Sequence, residues 1–156
     1  MSVCFVNCHG RGRFIENVIG RFHGMNCLNF SAAWIGFLLG CISGALSGLF
    51  FHQDTWLGGY DSWPRRMTRL GHISFFGIGI INLFFALSLD YLEVTEVPFL
   101  SSMLLLVAAV MMPATCYLSA WKKPFRNLFP IPAISLIVGV ALIIPRTLPT
   151  RLHWWP

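Results

Sequence analysis

Apolar residues run through this chain in four blocks, separated by short connections rich in aromatic and charged side chains. The blocks cover 32–51, 73–89, 97–117 and, more briefly, 129–145. Each is close to the roughly 17 to 25 residues that a helix needs to cross a bilayer. Hydrocarbon cannot satisfy free backbone groups, so a spanning apolar block is a helix unless it belongs to a closed barrel. The pattern predicts an all-α integral membrane protein, a four-transmembrane-helix bundle with short loops. It divides the chain into a lead over 1–30, a membrane domain over 31–146 and an aromatic, basic tail over 147–156.

Within the lead, Phe14, Ile15, Val18, Ile19 and Phe22 share one helical side, and Arg11, Arg13, Glu16 and Asn17 lie mostly on the other. That amphipathic pattern fits an N-terminal interfacial helix. Gly20 and Gly24 weaken it, leaving a poorly ordered leader as the alternative. Asn29 and Ser31 are placed to cap the first span.

The second span carries the most informative pattern. At 3.6 residues per turn, His72, Phe75/Phe76, Gly79, Asn82, Ala86 and Asp90 fall along one stripe, and Ile80, Phe84 and Leu87 lie elsewhere. An imidazole and an amide in hydrocarbon need partners, so the stripe is expected to face protein, a bound group or a wet cavity. His72 and Asn82 are separated by roughly 15 Å along the helix at 1.5 Å per residue, too far to share one small ion.

In the first span Gly36, Gly40, Gly44 and Gly48 recur every fourth residue, accompanied by Ser43 and Ser47. Lipid gives no hydrophobic drive for helices to associate, so small residues mark where backbones approach. This face is expected to pack inside the bundle or against another subunit or a second copy. Clearance for a flat cofactor ring is the alternative. In the third span Pro113 removes a helix hydrogen bond and predicts a kink beside Thr115 and Cys116.

Charge then sets orientation. Arg65, Arg66 and Arg69 lie in and after the first loop, Lys122, Lys123 and Arg126 in the third, and the second loop has no basic residue. The positive-inside rule places the first and third loops on the cytoplasmic side and both termini outside. Arg11, Arg13, Arg21, Arg146 and Arg151 weigh against it. The expected location is a bacterial inner membrane or its equivalent.

Composition agrees with the pattern. Hydrophobic residues make up 56% of the 156 and charged residues only 11%, where a soluble domain has roughly 25% charged; mean hydropathy is +0.67. The net charge of +5 sits beside the spans, where membrane lipids are its partner, and nothing resembles a nucleic-acid reader. Five scattered cysteines form no CxxC or CxxCH. Cys4 and Cys8 with His9 lack the second pair that a zinc site needs. Asp90, Glu93 and Glu96 fit no EF-hand spacing.

No GxSxG, HExxH, SxxK or Walker loop is present. A metal-dependent hydrolase built from His52, Asp54, Asp61 and His72 needs its loop to fold those groups together. A b-type haem needs two facing imidazoles, for which His52 and His72 are the candidates, with Arg65, Arg66 and Arg69 for the propionates. A quinone site asks less, with His72 and Tyr60 as polar contacts and Trp63 stacking. The GHISFFG segment with RRxxR resembles the histidine-bearing helices of bacterial membrane redox proteins over one helix, and the resemblance assigns no residue. A small homodimeric transporter is a third class, although the membrane-central positions hold no charged group of the kind ion coupling uses. The expected function is a small accessory or structural subunit of a membrane complex, redox-linked, with His72 as its principal functional residue. In the simplest alternative, His72 only hydrogen-bonds to Asp61 or a neighbouring helix.

Overall fold

The computed structural model describes residues 13–91 and 98–147, with side chains over 26–89 and 98–145. Among the described residues five α-helices follow in order: α1 (Arg13–Phe50), α2 (Trp63–Tyr91), α3 (Phe99–Trp121), α4 (Pro130–Ala141) and the short α5 (Ile144–Thr147). Four stretches of the described residues are long and apolar enough to cross a membrane: Asn26–Phe50, Trp63–Leu89, Phe99–Trp121 and Lys123–Ala141. The fourth combines a 3₁₀ segment, Lys123–Leu128, with α4, whose first turn accepts Pro130 and Pro132 because no intrahelical donor is needed there. The all-α, four-span architecture read from the apolar blocks is the architecture observed.

The expected cap at the start of the first span is not formed. Asn29 does not cap a new helix, because α1 runs unbroken from Arg13 through the span. Asn29 is fully buried, and its amide donates to Ser102 Oγ on α3. A side chain that would cap a helix start serves instead to join two helices. Residues 1–12, with Cys4, Cys8 and His9, lie outside the described part, as do Glu93, Glu96 and the tail.

Helix α2 is central: α1 and α3 both pack along it, and α4 packs on α3. Its exposure follows the expected stripe. Ile78, Gly79, Asn82, Phe85 and Ala86 are buried, whereas Ile80, Phe84 and Leu87 are exposed. The stripe serves two neighbours, however. His72, Phe76 and Gly79 meet α1, and Asn82 donates to Ile78 O at 3.0 Å and to Leu105 O of α3 at 3.4 Å. On α3, Leu105 joins Phe85 and Leu89 in an apolar core that also packs against Leu136 of α4. Ser135 adds an interhelical bond to Leu104 O at 2.9 Å. The outward sides of α1 and α4, with Ile35, Leu38, Leu49, Ile134 and Ile137, are exposed apolar surface suited to lipid.

The α1–α2 connection turns through a 3₁₀ segment, Trp56–Gly58. Leu57, Gly58 and Gly59 all have positive φ, at 55°, 87° and 96°. Glycine adopts these angles freely, whereas Leu57 does so at a cost. The turn lays Trp56 on Phe50, with ring centroids 5.8 Å apart and planes 14° from parallel.

Candidate functional site

Three features lie along the contact of α1, α2 and α3: a histidine seam, a pair of clefts and, at the α1 C-terminal end, an arginine–aromatic cap.

The seam is where the glycine stripe of α1 is filled. A Cβ on Gly36 would lie 3.3 Å from Phe75 O, one on Gly40 would lie 2.7 Å from the Phe76 ring, and one on Gly44 would lie 2.5 Å from His72 Cε1. Three of the four glycines therefore serve packing within the chain, while nothing lies within 4 Å of the position at Gly48. His72 packs edge-on to Phe76, centroids 5.4 Å apart, and Phe76 stacks on Phe37. Ser43 Oγ donates to Gly40 O at 3.1 Å and lies 3.3 Å from His72 Nδ1. Ser43 Oγ is thus shared between the α1 backbone and the His72 ring.

In the cap, Arg65 is 3% exposed and donates from Nη2 to Phe51 O at 3.0 Å. Its guanidinium lies 4.7 Å from the Phe51 ring, 5.5 Å from Tyr60 and 5.7 Å from Trp56. Arg69 donates to Tyr60 O at 2.9 Å and lies 4.5 Å from the Tyr60 ring. Planar guanidinium groups bind carbonyls and aromatic faces together in a way an ammonium does not. These two arginines hold the first loop against α2. Arg66 is exposed.

The clefts lie in the groove between α1 and α3, floored by α2. One, of about 400 Å³, is lined by Ile35, Gly36, Phe75, Gly79, Ala109 and Pro113 among others. The second, of about 410 Å³, is lined by Ser43, Ser47, Phe50, Trp56, Thr68 and Tyr117. Tyr117 borders both, its ring lying over Gly71, where a Cβ would come within 3.0 Å of it. The Tyr117 hydroxyl is buried without a hydrogen-bond partner.

The residue sets read from the sequence separate here. His52 is exposed in the loop beyond the end of α1, while His72 sits beside Gly44. Six helical residues from Gly44 to Phe50 set the two positions about 9 Å apart along the α1 axis. Tyr60 lies on the arginine cap and is 59% exposed. Trp63 Nε1 donates to Ser119 O on α3 at 2.9 Å. His72, Tyr60 and Trp63 thus face different neighbours. Asp54 and Asp61 are exposed, and among the described residues no three His, Cys, Asp or Glu side chains gather where a metal could sit.

Tyr117 was hidden in the sequence by its position one turn inside Trp121, where an aromatic reads as part of the interfacial belt. Ser43 and Ser47 were legible only as members of the small-residue stripe. No family model, curated protein or solved structure matches this chain.

Proposed function

We propose that the protein is a small accessory subunit of a membrane complex, redox-linked through a membrane-soluble carrier rather than through a resident haem. One observation carries this reading: each of four helix pairs is joined by a polar side chain that is buried or half-buried between them. His72 and Ser43 tie α2 to α1, Asn29 and Ser102 tie α1 to α3, Asn82 ties α2 to α3, and Ser135 ties α4 to α3. A transporter keeps such groups facing a path, and an enzyme aims them at one reacting centre. Here they are distributed over four helix contacts. The basic first and third loops belong on the cytoplasmic side in this reading, which places both ends of the membrane domain on the other.

Native mass spectrometry after gentle extraction from the source membrane tests the proposal. The expected result is this chain together with other polypeptides at a fixed ratio. Recovery only as a monomer or homodimer, with solute uptake when it alone is placed in liposomes, would replace the subunit reading with a carrier.

A further inference from the structure

We infer that the N-terminal end of α2 is a binding site for an anionic phospholipid, its phosphate held between Arg66 and Arg69 and an acyl chain lying along the outward side of the same helix. The inference concerns the isolated chain and does not rest on the subunit reading above.

The charges at this helix end are the reverse of what a helix favours. A helix N-terminus carries a partial positive charge and is stabilised by acidic side chains. The first turn of α2 holds no acidic residue, and the basic Arg65, Arg66 and Arg69 stand at this end instead. Residues three and four apart are neighbours on a helix, and like charges so placed repel. The partners of Arg65 and Arg69 are neutral, namely Phe51 O, Tyr60 O and aromatic rings. Among the described residues neither guanidinium pairs with a carboxylate, and Asp54 and Asp61 of the adjoining loop are exposed. An anion bound here relieves the helix dipole and the three like charges together.

Donors remain for that anion. A guanidinium has five N–H groups, and Arg65 and Arg69 each commit only Nη2 to a loop carbonyl. Nε of both is buried without a partner, whereas Nη1 of both is unpartnered and not enclosed. Arg69 is half-buried and fixed in place by two contacts with one residue, its bond to Tyr60 O and the Tyr60 ring 4.5 Å away. A donor already held in place loses little freedom when it binds a phosphate. Arg66, three residues before it, is exposed and adds a second guanidinium. Arg65 lies deeper and adds its charge to the same end of the helix.

The helix below the arginines separates a lipid from a free anion. Leu70, Ile73, Gly77 and Ile80 follow Arg66 at helical spacing on one side of α2, and all four are exposed. A Cβ on Gly77 would meet nothing within 4 Å, so the stripe has a shallow notch in its lower half. Leu70 to Ile80 spans about 15 Å at 1.5 Å per residue, half of the roughly 30 Å of a hydrocarbon core. The apolar stripe therefore runs the depth of one leaflet and begins directly beneath the basic cluster. A phospholipid has the same order, an anion at the headgroup level and a chain one leaflet long. A zwitterionic headgroup fits less well, because it brings its own cation to a site that already holds three.

Native mass spectrometry of the full chain in lipid-free detergent, titrated with phosphatidylglycerol or with phosphatidylcholine of the same acyl chains, tests the site. One phosphatidylglycerol should be held saturably, roughly tenfold more tightly than phosphatidylcholine. Arg66→Gln and Arg69→Gln should each remove most of that preference and leave phosphatidylcholine unchanged. Arg66 is exposed and bonds to nothing in the fold, so Arg66→Gln keeps the test independent of folding. Lys123→Gln removes the same charge from an exposed position at the same end of the bundle, where Trp63 bonds to Ser119 O, and should change nothing. Equal retention of the two lipids, or equal weakening by Lys123→Gln and Arg66→Gln, would overturn the inference in favour of diffuse attraction. Displacement of phosphatidylglycerol by inorganic phosphate at the same concentration would also overturn it, leaving a site for free anions.

Discussion

His72 Cε1 occupies the space that a Cβ on Gly44 would need, the two being 2.5 Å apart, and this contact fixes where α1 crosses α2. The glycine is required because the imidazole is there. Gly44→Ala should therefore lower stability by about 1 to 3 kcal/mol, the usual range for overpacking. Gly48→Ala, with open space around the new methyl group, should cost nothing and gain up to about 1 kcal/mol of helix propensity. Thermal unfolding in one detergent compares them, and equal losses at both positions would show that the seam is not the cause.

Arg65 and Arg66 adjoin in sequence and should differ sharply. Arg65 is buried, bonded to Phe51 O and covered by three aromatic rings. Arg65→Ala should cost about 1.5 to 3 kcal/mol, as for loss of a hydrogen bond to a charged group. Arg65→Lys should recover only part of it, since an ammonium cannot stack and bond in the same plane. Arg66→Ala should unfold at the wild-type temperature.

Asn82 is fully buried, and its Oδ1 has no partner. Interhelical side-chain bonds in membranes are worth only about 0.6 kcal/mol on average, and an apolar isostere removes the cost of the orphan acceptor. Asn82→Leu should stay within about 1 kcal/mol of wild type in denaturant unfolding. A much larger loss would give Asn82 a part beyond tying α2 to α3.

Separation of His52 from His72 predicts the optical spectrum. Protein gently solubilised from its native membrane should show no Soret band at near-stoichiometric loading, oxidised or reduced, and His52→Ala should be indistinguishable from wild type. A stoichiometric Soret band lost in His72→Ala would restore a haem ligand at that position.

The spans were legible because their cause is local: length and hydropathy alone make a helix that can cross a bilayer. The exposed sides of α2 at Ile80, Phe84 and Leu87 were legible too, since helical period places them. Which neighbour each residue meets is not a local property. The glycine stripe announced close packing, yet only the fold shows that α2 of the same chain fills Gly36, Gly40 and Gly44. His52 and His72 looked paired because a hairpin brings the ends of its helices together. The fold sets His72 at the level of Gly44, inside the end of α1, whereas His52 lies beyond that end. Asn29 read as a cap from its type, and became an interhelical donor because α1 continues past it. Tyr117 carried no signal apart from its neighbours, as its hydroxyl is buried without a partner only once the ring packs over Gly71.

The reading of His72 as a packing and hydrogen-bonding residue is tested most directly by a double-mutant cycle between Gly44→Ala and His72→Ala, read as unfolding free energy. If the imidazole fills the glycine notch, Gly44→Ala should be costly in wild type and nearly free once His72 is alanine, a coupling of about 1 to 2 kcal/mol. Strictly additive losses, or a His72→Ala variant as stable as wild type, would contradict it.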